Sequence, residues 1–162
     1  MLVVYVDIDR CLGCFSCERA CSLKQYHDHK STQSNIHVLV DMDRRAIKTS
    51  TCLQCRQPLC AAACPTQALH KDPITDILVV DREACIGCGE CTEACPLDNV
   101  RLEANLGVAT KCDLCGGQPR CVQVCQAQAL QFGQLKEVSQ RIMGKEKPNI
   151  VIRAIEGKDS AS

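Results

Sequence analysis

Every cysteine in this sequence falls within a quartet, and the four quartets share nearly one spacing. They are Cys11, Cys14, Cys17 and Cys21; Cys52, Cys55, Cys60 and Cys64; Cys85, Cys88, Cys91 and Cys95; and Cys112, Cys115, Cys121 and Cys125. The first and third read C-x2-C-x2-C-x3-C, while the second and fourth widen the middle gap to four and five residues. A cubane [4Fe-4S] cluster needs four thiolates. Three on one tight loop, with a fourth just downstream that ligates the neighbouring cluster, is a known way to supply them. The sixteen cysteines then imply four clusters with no thiol left over.

Such loops need elements to hold them. Leu2 to Asp9 and Ile77 to Asp81 are β-branched runs that end in an acidic residue and lead straight into the first and third loops. Gly13 and Gly87 lie between ligands, where the backbone must turn tightly. Pro65 and Pro96 follow the last cysteine of their quartets and stop a helical turn there. The chain turns apolar again at Ala68-Leu69, Val100-Arg101-Leu102 and Ala129-Leu130, and Asp72 to Asp76 is a turn signal between two such strands. The unit is strand, ligand loop, short helical turn, strand, and the fold class is α+β. Residues 22–51 form an insertion with a polar stretch from Gln25 to Asn35 and a strand over Ile36–Val40. Beyond 132 lies a cysteine-free arm and tail, 133–162, with a short helix over Gln134–Met143, an edge strand over Ile150–Ile152 and a disordered end. The arm either docks on a partner or closes over the core.

Composition supports an interior built partly from something other than side chains. Tyr5, Tyr26, Phe15 and Phe132 are the only aromatic residues, so clusters would fill the core and their binding energy would be folding energy. The formal charge is zero, and no basic stripe suggests nucleic acid. Each oxidised cubane with its thiolates adds about two negative charges, making the loaded protein acidic. Arg10, Arg56 and Lys111 stand near ligands and would offset that charge, or else are solvated surface cations. The opening residues carry no basic leader, and no segment reaches the roughly 20 apolar residues of a membrane span. The expectation is a cytoplasmic protein with no direct membrane insertion.

The 20 residues between Cys64 and Cys85, with a strand–turn–strand pattern, are about what a two-cluster ferredoxin uses between its motifs. That pairs the inner quartets, so Cys52, Cys55 and Cys60 take Cys95, and Cys85, Cys88 and Cys91 take Cys64. By elimination Cys11, Cys14 and Cys17 take Cys125, and Cys112, Cys115 and Cys121 take Cys21. The domain over 1–132 is then two interleaved units, an outer one from 1–24 and 105–132 and an inner one over 48–104. Pairing first with second and third with fourth is the competing scheme.

The four quartets in order, Cys64-Pro65, Cys95-Pro96, and Lys111-Cys112-Asp113-Leu114-Cys115 together resemble a known family. Its members are four-cluster ferredoxin-like subunits that serve molybdenum and tungsten enzymes, certain hydrogenases and carbon monoxide dehydrogenase. The resemblance spans about Val3 to Phe132. It implies the same interleaved pairing and a row of clusters linking a large catalytic subunit, molybdenum- or tungsten-pterin or nickel, to another carrier. A flavin- or NAD-linked subunit or further copies of the chain could be that carrier. Compactness makes the chain similar to the small subunit of a tungsten aldehyde oxidoreductase. The sequence departs from the family pattern at Gly116 to Arg120, which is short, and at Ser22 and Gln126, where proline is common.

The leading function is therefore electron transfer with no catalytic site of its own. A freely diffusing polyferredoxin is the runner-up, and a zinc-binding structural module is a third reading, since paired Cys-x2-Cys motifs also make zinc ribbons. His27 and His29 lie in a polar loop, and His37 and His70 in or beside strands; all four read as surface or packing residues.

Overall fold

The computed structural model describes residues 1–27, 33–103 and 105–137. Its strands form four separate antiparallel pairs, and the four ligand loops lie between them. Strand β1 (Leu2–Val6) pairs with β8 (Leu130–Gln134), Val4 lying opposite Phe132, so the start of the chain is tied to residues beyond the last cysteine. Between these come β2 (Ile36–Asp41) with β3 (Ala46–Thr51), β4 (Leu69–Lys71) with β5 (Leu78–Val80), and β6 (Val100–Leu102) with β7 (Ala109–Lys111). Helices carry the third cysteine of each quartet: α1 (Ser16–Tyr26), which also holds Cys21, α2 (Leu59–Ala62), α3 (Glu90–Glu93) and α4 (Arg120–Gln123). The class is α+β.

The second half of the chain repeats the first. The short helix of the odd quartets is entered from a left-handed residue, Phe15 at φ 59° and Gly89 at φ 84°. In the even quartets it is entered from an extended proline, Pro58 or Pro119. The cycle closes through β1 and β8, which stand to the outer quartets as β5 and β4 stand to the inner ones. Equivalent hydrogen bonds mark the correspondence: Asp7 N–H donates to Ala129 O at 2.7 Å, and Asp81 N–H to Ala68 O at 2.8 Å.

Two small cores result. One gathers Val4, Ile36, Ile77, Leu114 and Leu130 with four cysteines, Cys21, Cys52, Cys112 and Cys121. The other gathers Leu69, Leu78, Val100 and Ala109 with Cys60 and Cys91. Ligand sulfur is therefore part of each interior, as the scarcity of aromatic residues suggests.

Three features differ from the expectation. Helix α1 runs 11 residues to Tyr26, well past a short turn, and takes in the start of the polar stretch. Ser22 in place of proline keeps the backbone N–H that this continuation uses. Proline is not required to end such a helix, since α4 ends at Gln123 with no proline following Cys125. After Cys64, Cys95 and Cys125 the chain instead makes one common turn. Gln67, Asp98 and Gln128 take φ values of 57°, 51° and 53° and donate their N–H to the cysteine carbonyl three residues back. The insertion folds as a full hairpin because β3 answers β2, and Glu18 in α1 accepts the Val38 N–H at 2.5 Å. Strand β8 continues through Gln134, so the ordered sheet crosses position 132 and Gln134 is strand and not helix. Leu135 to Glu137 are helical, as expected; the remainder of that helix to Met143, the Ile150–Ile152 strand and the tail lie outside the described residues, as does His29. Among the described residues no helix is long and apolar enough to cross a membrane.

Candidate metal centres

The ligand loops owe their shape to backbone that side chains rarely favour. Gly13 and Gly87 have φ of 63° and 68°, and a Cβ on Gly87 would lie 2.1 Å from the Gly107 carbonyl oxygen. The even loops reach the same curvature without glycine at this place, through Gln54 at φ 52° and Leu114 at φ 54°. All sixteen thiols are free. Donors already point at several of them. Asn35 N–H donates to Cys21 Sγ at 3.3 Å, Asn99 N–H to Cys95 Sγ at 3.4 Å and Ala109 N–H to Cys85 Sγ at 3.3 Å. Hydroxyls of Thr49 and Thr66 lie 3.4 Å and 3.7 Å from Cys11 and Cys64. Such contacts favour thiolate sulfur and are a main lever on cluster potentials.

The fold brings particular cysteines together. Cys64, Cys85, Cys88 and Cys91 line one small pocket together with Leu69 and Ala109. Cys95 and the second quartet are neighbours, because Cys95 acts electrostatically on Cys55 and Cys60. Cys21 and the fourth quartet are neighbours in the same way, through Cys115 and Cys121. Helix α1 packs against α4 and α2 against α3, and Cys17 and Cys125 both pack on the larger core. Among the described residues no three His, Cys, Asp or Glu side chains converge on a point suited to one metal ion. A zinc ion would draw its sulfurs to about 2.3 Å. The Cys64 set lines one pocket, and its free thiols, sulfur-directed donors and tight loops suit a cluster.

Two asparagines missed at the level of motifs tie these sets. Besides its N–H, Asn99 uses Nδ2 to donate to the carbonyl of Thr51, the residue before Cys52, at 3.0 Å. Asn35 does the same for Lys111, the residue before Cys112, at 3.1 Å. The signal for Asn99 is its place four residues after Cys95, where the even quartets have Ala68 and Ala129. Asn35 gives no such signal, because the insertion carries it 14 residues from Cys21.

Burial dominates the electrostatics. It pushes the thiols of Cys17 and Cys112 up to about 12 and that of Cys60 up to about 11, and it also raises Cys121 strongly. These groups stay protonated until metal displaces the proton, so loading releases protons. Cys14 is exposed, and the Ser16 hydroxyl and N–H lower its thiol. Of the three expected counter-cations, Arg10 and Arg56 are exposed while Lys111 is buried. His27 and His70 are exposed, and His37 is half-buried beside Arg101.

A family model described as the 4Fe-4S dicluster domain matches residues 44–135. The polyferredoxin-like subunit of an aliphatic sulfonate oxidoreductase from Pyrococcus furiosus is 40% identical over 122 residues, covering 75% of this chain and 70% of its own length. The thiosulfate reductase electron transfer subunit PhsB of Salmonella typhi is 35% identical over 150 residues, covering 83% and 77%. One subunit of the anaerobic dimethyl sulfoxide reductase of Haemophilus influenzae is 34% identical over 156 residues, covering 83% and 74%. Among solved structures, a component of the BamBC active site complex of benzoyl coenzyme A reductase aligns over 96% of this chain and 97% of its own, with a TM-score of 0.50 and 23% identity, a likeness of fold. Free thiols in four quartets, sulfur-directed donors and these relatives lead to one conclusion: this protein belongs to the 4Fe-4S dicluster domain family.

Proposed function

We propose that the chain is an electron-transfer subunit holding four [4Fe-4S] clusters, which wires a large oxidoreductase subunit to a second carrier. The clusters supply one-electron transfer; the chain positions them, tunes them and shields them from water. The ligand sets are Cys11, Cys14, Cys17 and Cys125; Cys112, Cys115, Cys121 and Cys21; Cys52, Cys55, Cys60 and Cys95; and Cys85, Cys88, Cys91 and Cys64. The observation that carries this reading is the joining of outer with outer and inner with inner elements. Strand β1 pairs with β8, α1 packs on α4, α2 packs on α3, and Cys64 shares a cavity with the third quartet. The Asn35 and Asn99 bridges support two further completions, Cys21 with the fourth quartet and Cys95 with the second. Two interleaved ferredoxin-like units follow.

Exposure supports a row with two terminals. Cys14 and Cys88 are exposed; of the six buried cysteines, Cys21, Cys52, Cys60, Cys112 and Cys121 belong to the two middle sets and Cys91 to an end set. Cys121 feels Cys17, and Cys112 feels Cys52, so the sets adjoin in the order first, fourth, second, third quartet. Leu12 and Ile86, 73% and 67% exposed, occupy equivalent places in the first and third loops and suit docking of protein at either end. The catalytic partner is proposed as a molybdenum- or tungsten-pterin subunit, with a tungsten aldehyde oxidoreductase as the narrower candidate. A reducing cytoplasm suits sixteen free thiols.

Iron and sulfide analysis of the native protein should give about 16 of each per chain. Replacing Cys125→Ser should disturb the cluster held by Cys11, Cys14 and Cys17, read from its electron paramagnetic resonance signal. Disturbance confined to the Cys112 cluster would instead favour pairing of neighbouring quartets. Isolation of the native complex identifies the large subunit, and a protein recovered alone would favour the diffusing polyferredoxin.

A further inference from the structure

Two buried polar side chains, Lys111 and Gln54, join two ligand loops. Lys111 is 4% exposed, and its ammonium donates to the carbonyl oxygens of Leu78 and Cys112, the latter at 2.6 Å. Gln54, 1% exposed, closes the ring: Nε2 donates to Cys112 O at 2.8 Å and Oε1 accepts the Leu78 N–H at 2.8 Å. The second quartet, β5 and the fourth quartet are thus locked by one closed set of hydrogen bonds.

A buried ammonium is costly unless an anion compensates it. The ion pairs among the described residues, Arg44–Asp41, Lys71–Asp76 and Arg82–Glu103, do not include Lys111. Carbonyl oxygens satisfy its donors but do not cancel its charge. With clusters bound, anionic ligands of two different sets flank it: Cys112, whose carbonyl it bonds, and Cys55, next to the Gln54 that bonds the same carbonyl.

The repeat shows that the fold itself does not require this arrangement. Thr51 precedes Cys52 as Lys111 precedes Cys112, and Leu114 follows Cys112 by two residues as Gln54 follows Cys52. Val4 takes the place of Leu78, since Val6 lies opposite Leu130 as Val80 lies opposite Leu69. At that equivalent place Val4 and Leu114 simply belong to an apolar core. The cation and the amide are additions at one of two related sites between the second and fourth quartets, the one packed against β5.

We propose that Lys111, held by Gln54 and Leu78, is a counter-cation shared by the two central clusters and raises the potentials of both above those of the terminal pair. The inference rests on the four-cluster reading. Each one-electron reduction adds one negative charge beside the ammonium. The electron comes from the partner or from an electrode, no bond forms or breaks, and no proton moves. A fixed cation at the midpoint makes the middle of the row the place where an electron is held between two exposed ends.

The test is an electrochemical titration of the holoprotein, followed by electron paramagnetic resonance. The double variant Lys111→Thr with Gln54→Leu copies the residues that the fold carries at the related site, and Lys111→Met is a second variant. Two of the four couples should fall, the reduced-to-oxidised ratio at fixed potential dropping about tenfold or more, which is about 59 mV for one electron. The two that fall should be those disturbed by Cys52→Ser and Cys112→Ser, and Lys111→Arg should restore them. Unmoved potentials, an equal shift of all four, or loss of iron from both variants would overturn the proposal. Fewer than four clusters in the unaltered protein would instead overturn the reading on which it rests.

Discussion

Gly13 and Gly87 occupy the same place in the first and third ligand loops, yet an added methyl group meets different neighbours. At Gly13 it would touch the ends of Val40 and Ile47 at 3.2 and 3.3 Å, side chains that can shift. At Gly87 it would strike the Gly107 carbonyl at 2.1 Å, which is backbone. Gly13→Ala should therefore cost about 1–2 kcal/mol, the ordinary penalty for an L-residue in a left-handed conformation. Gly87→Ala should cost clearly more and reduce iron retention by the Cys85, Cys88, Cys91 and Cys64 set. Thermal unfolding and iron content of the two variants measure the contrast. Both glycines are legible in the sequence as loop glycines. Their different cost is not, because it depends on Gly107, 20 residues further along the chain.

Among the elements, the β2–β3 hairpin is the least expected and offers a pH-dependent probe. His37 on β2 is half-buried, and burial, helped by the positive charge of Arg101 on β6, pushes it down to about 4. The unfolded chain would titrate near 6.5. A depressed histidine contributes stability that is fully present above about 6.5 and is lost as the pH falls toward 4. Melting temperatures at pH 7 and pH 5 should differ less for His37→Gln than for the unaltered protein. Strand β2 is legible from its Ile36 to Val40 run, but β3 is not, because Ala46 to Thr51 is mixed in polarity. Its strand form follows from the register that sets Thr51 opposite Ile36 and Val38 opposite Thr49. Helix α1 is similar: its continuation to Tyr26 is supported by Gln25 donating to Asp113 at 2.9 Å and Tyr26 meeting Thr110 at 2.7 Å, partners far off in sequence.

For the whole molecule, four isolated two-stranded pairs and four-residue helices bury little on their own. Two-stranded ribbons are marginal in water, and here six of the buried residues in the two cores are cysteines. Removing iron with a chelator should therefore abolish cooperative unfolding, as circular dichroism through a thermal ramp would show; a sharp transition in the iron-free protein would count against cluster-dependent folding. The sequence by itself determined that sixteen cysteines recur at iron–sulfur spacing, and the repeat that orders them. Ligand chemistry is written locally, within spans of a few residues on one loop, and so can be read from spacing. Only the tertiary structure decided which strands meet across the chain, where the insertion turns back, and that Lys111 is interior while Arg10 and Arg56 stay in water. A cation beside a ligand reads the same in one dimension whether solvated or buried. What separates the two is the packing of β5 and the second loop over it, contacts 33 residues away in the case of Leu78.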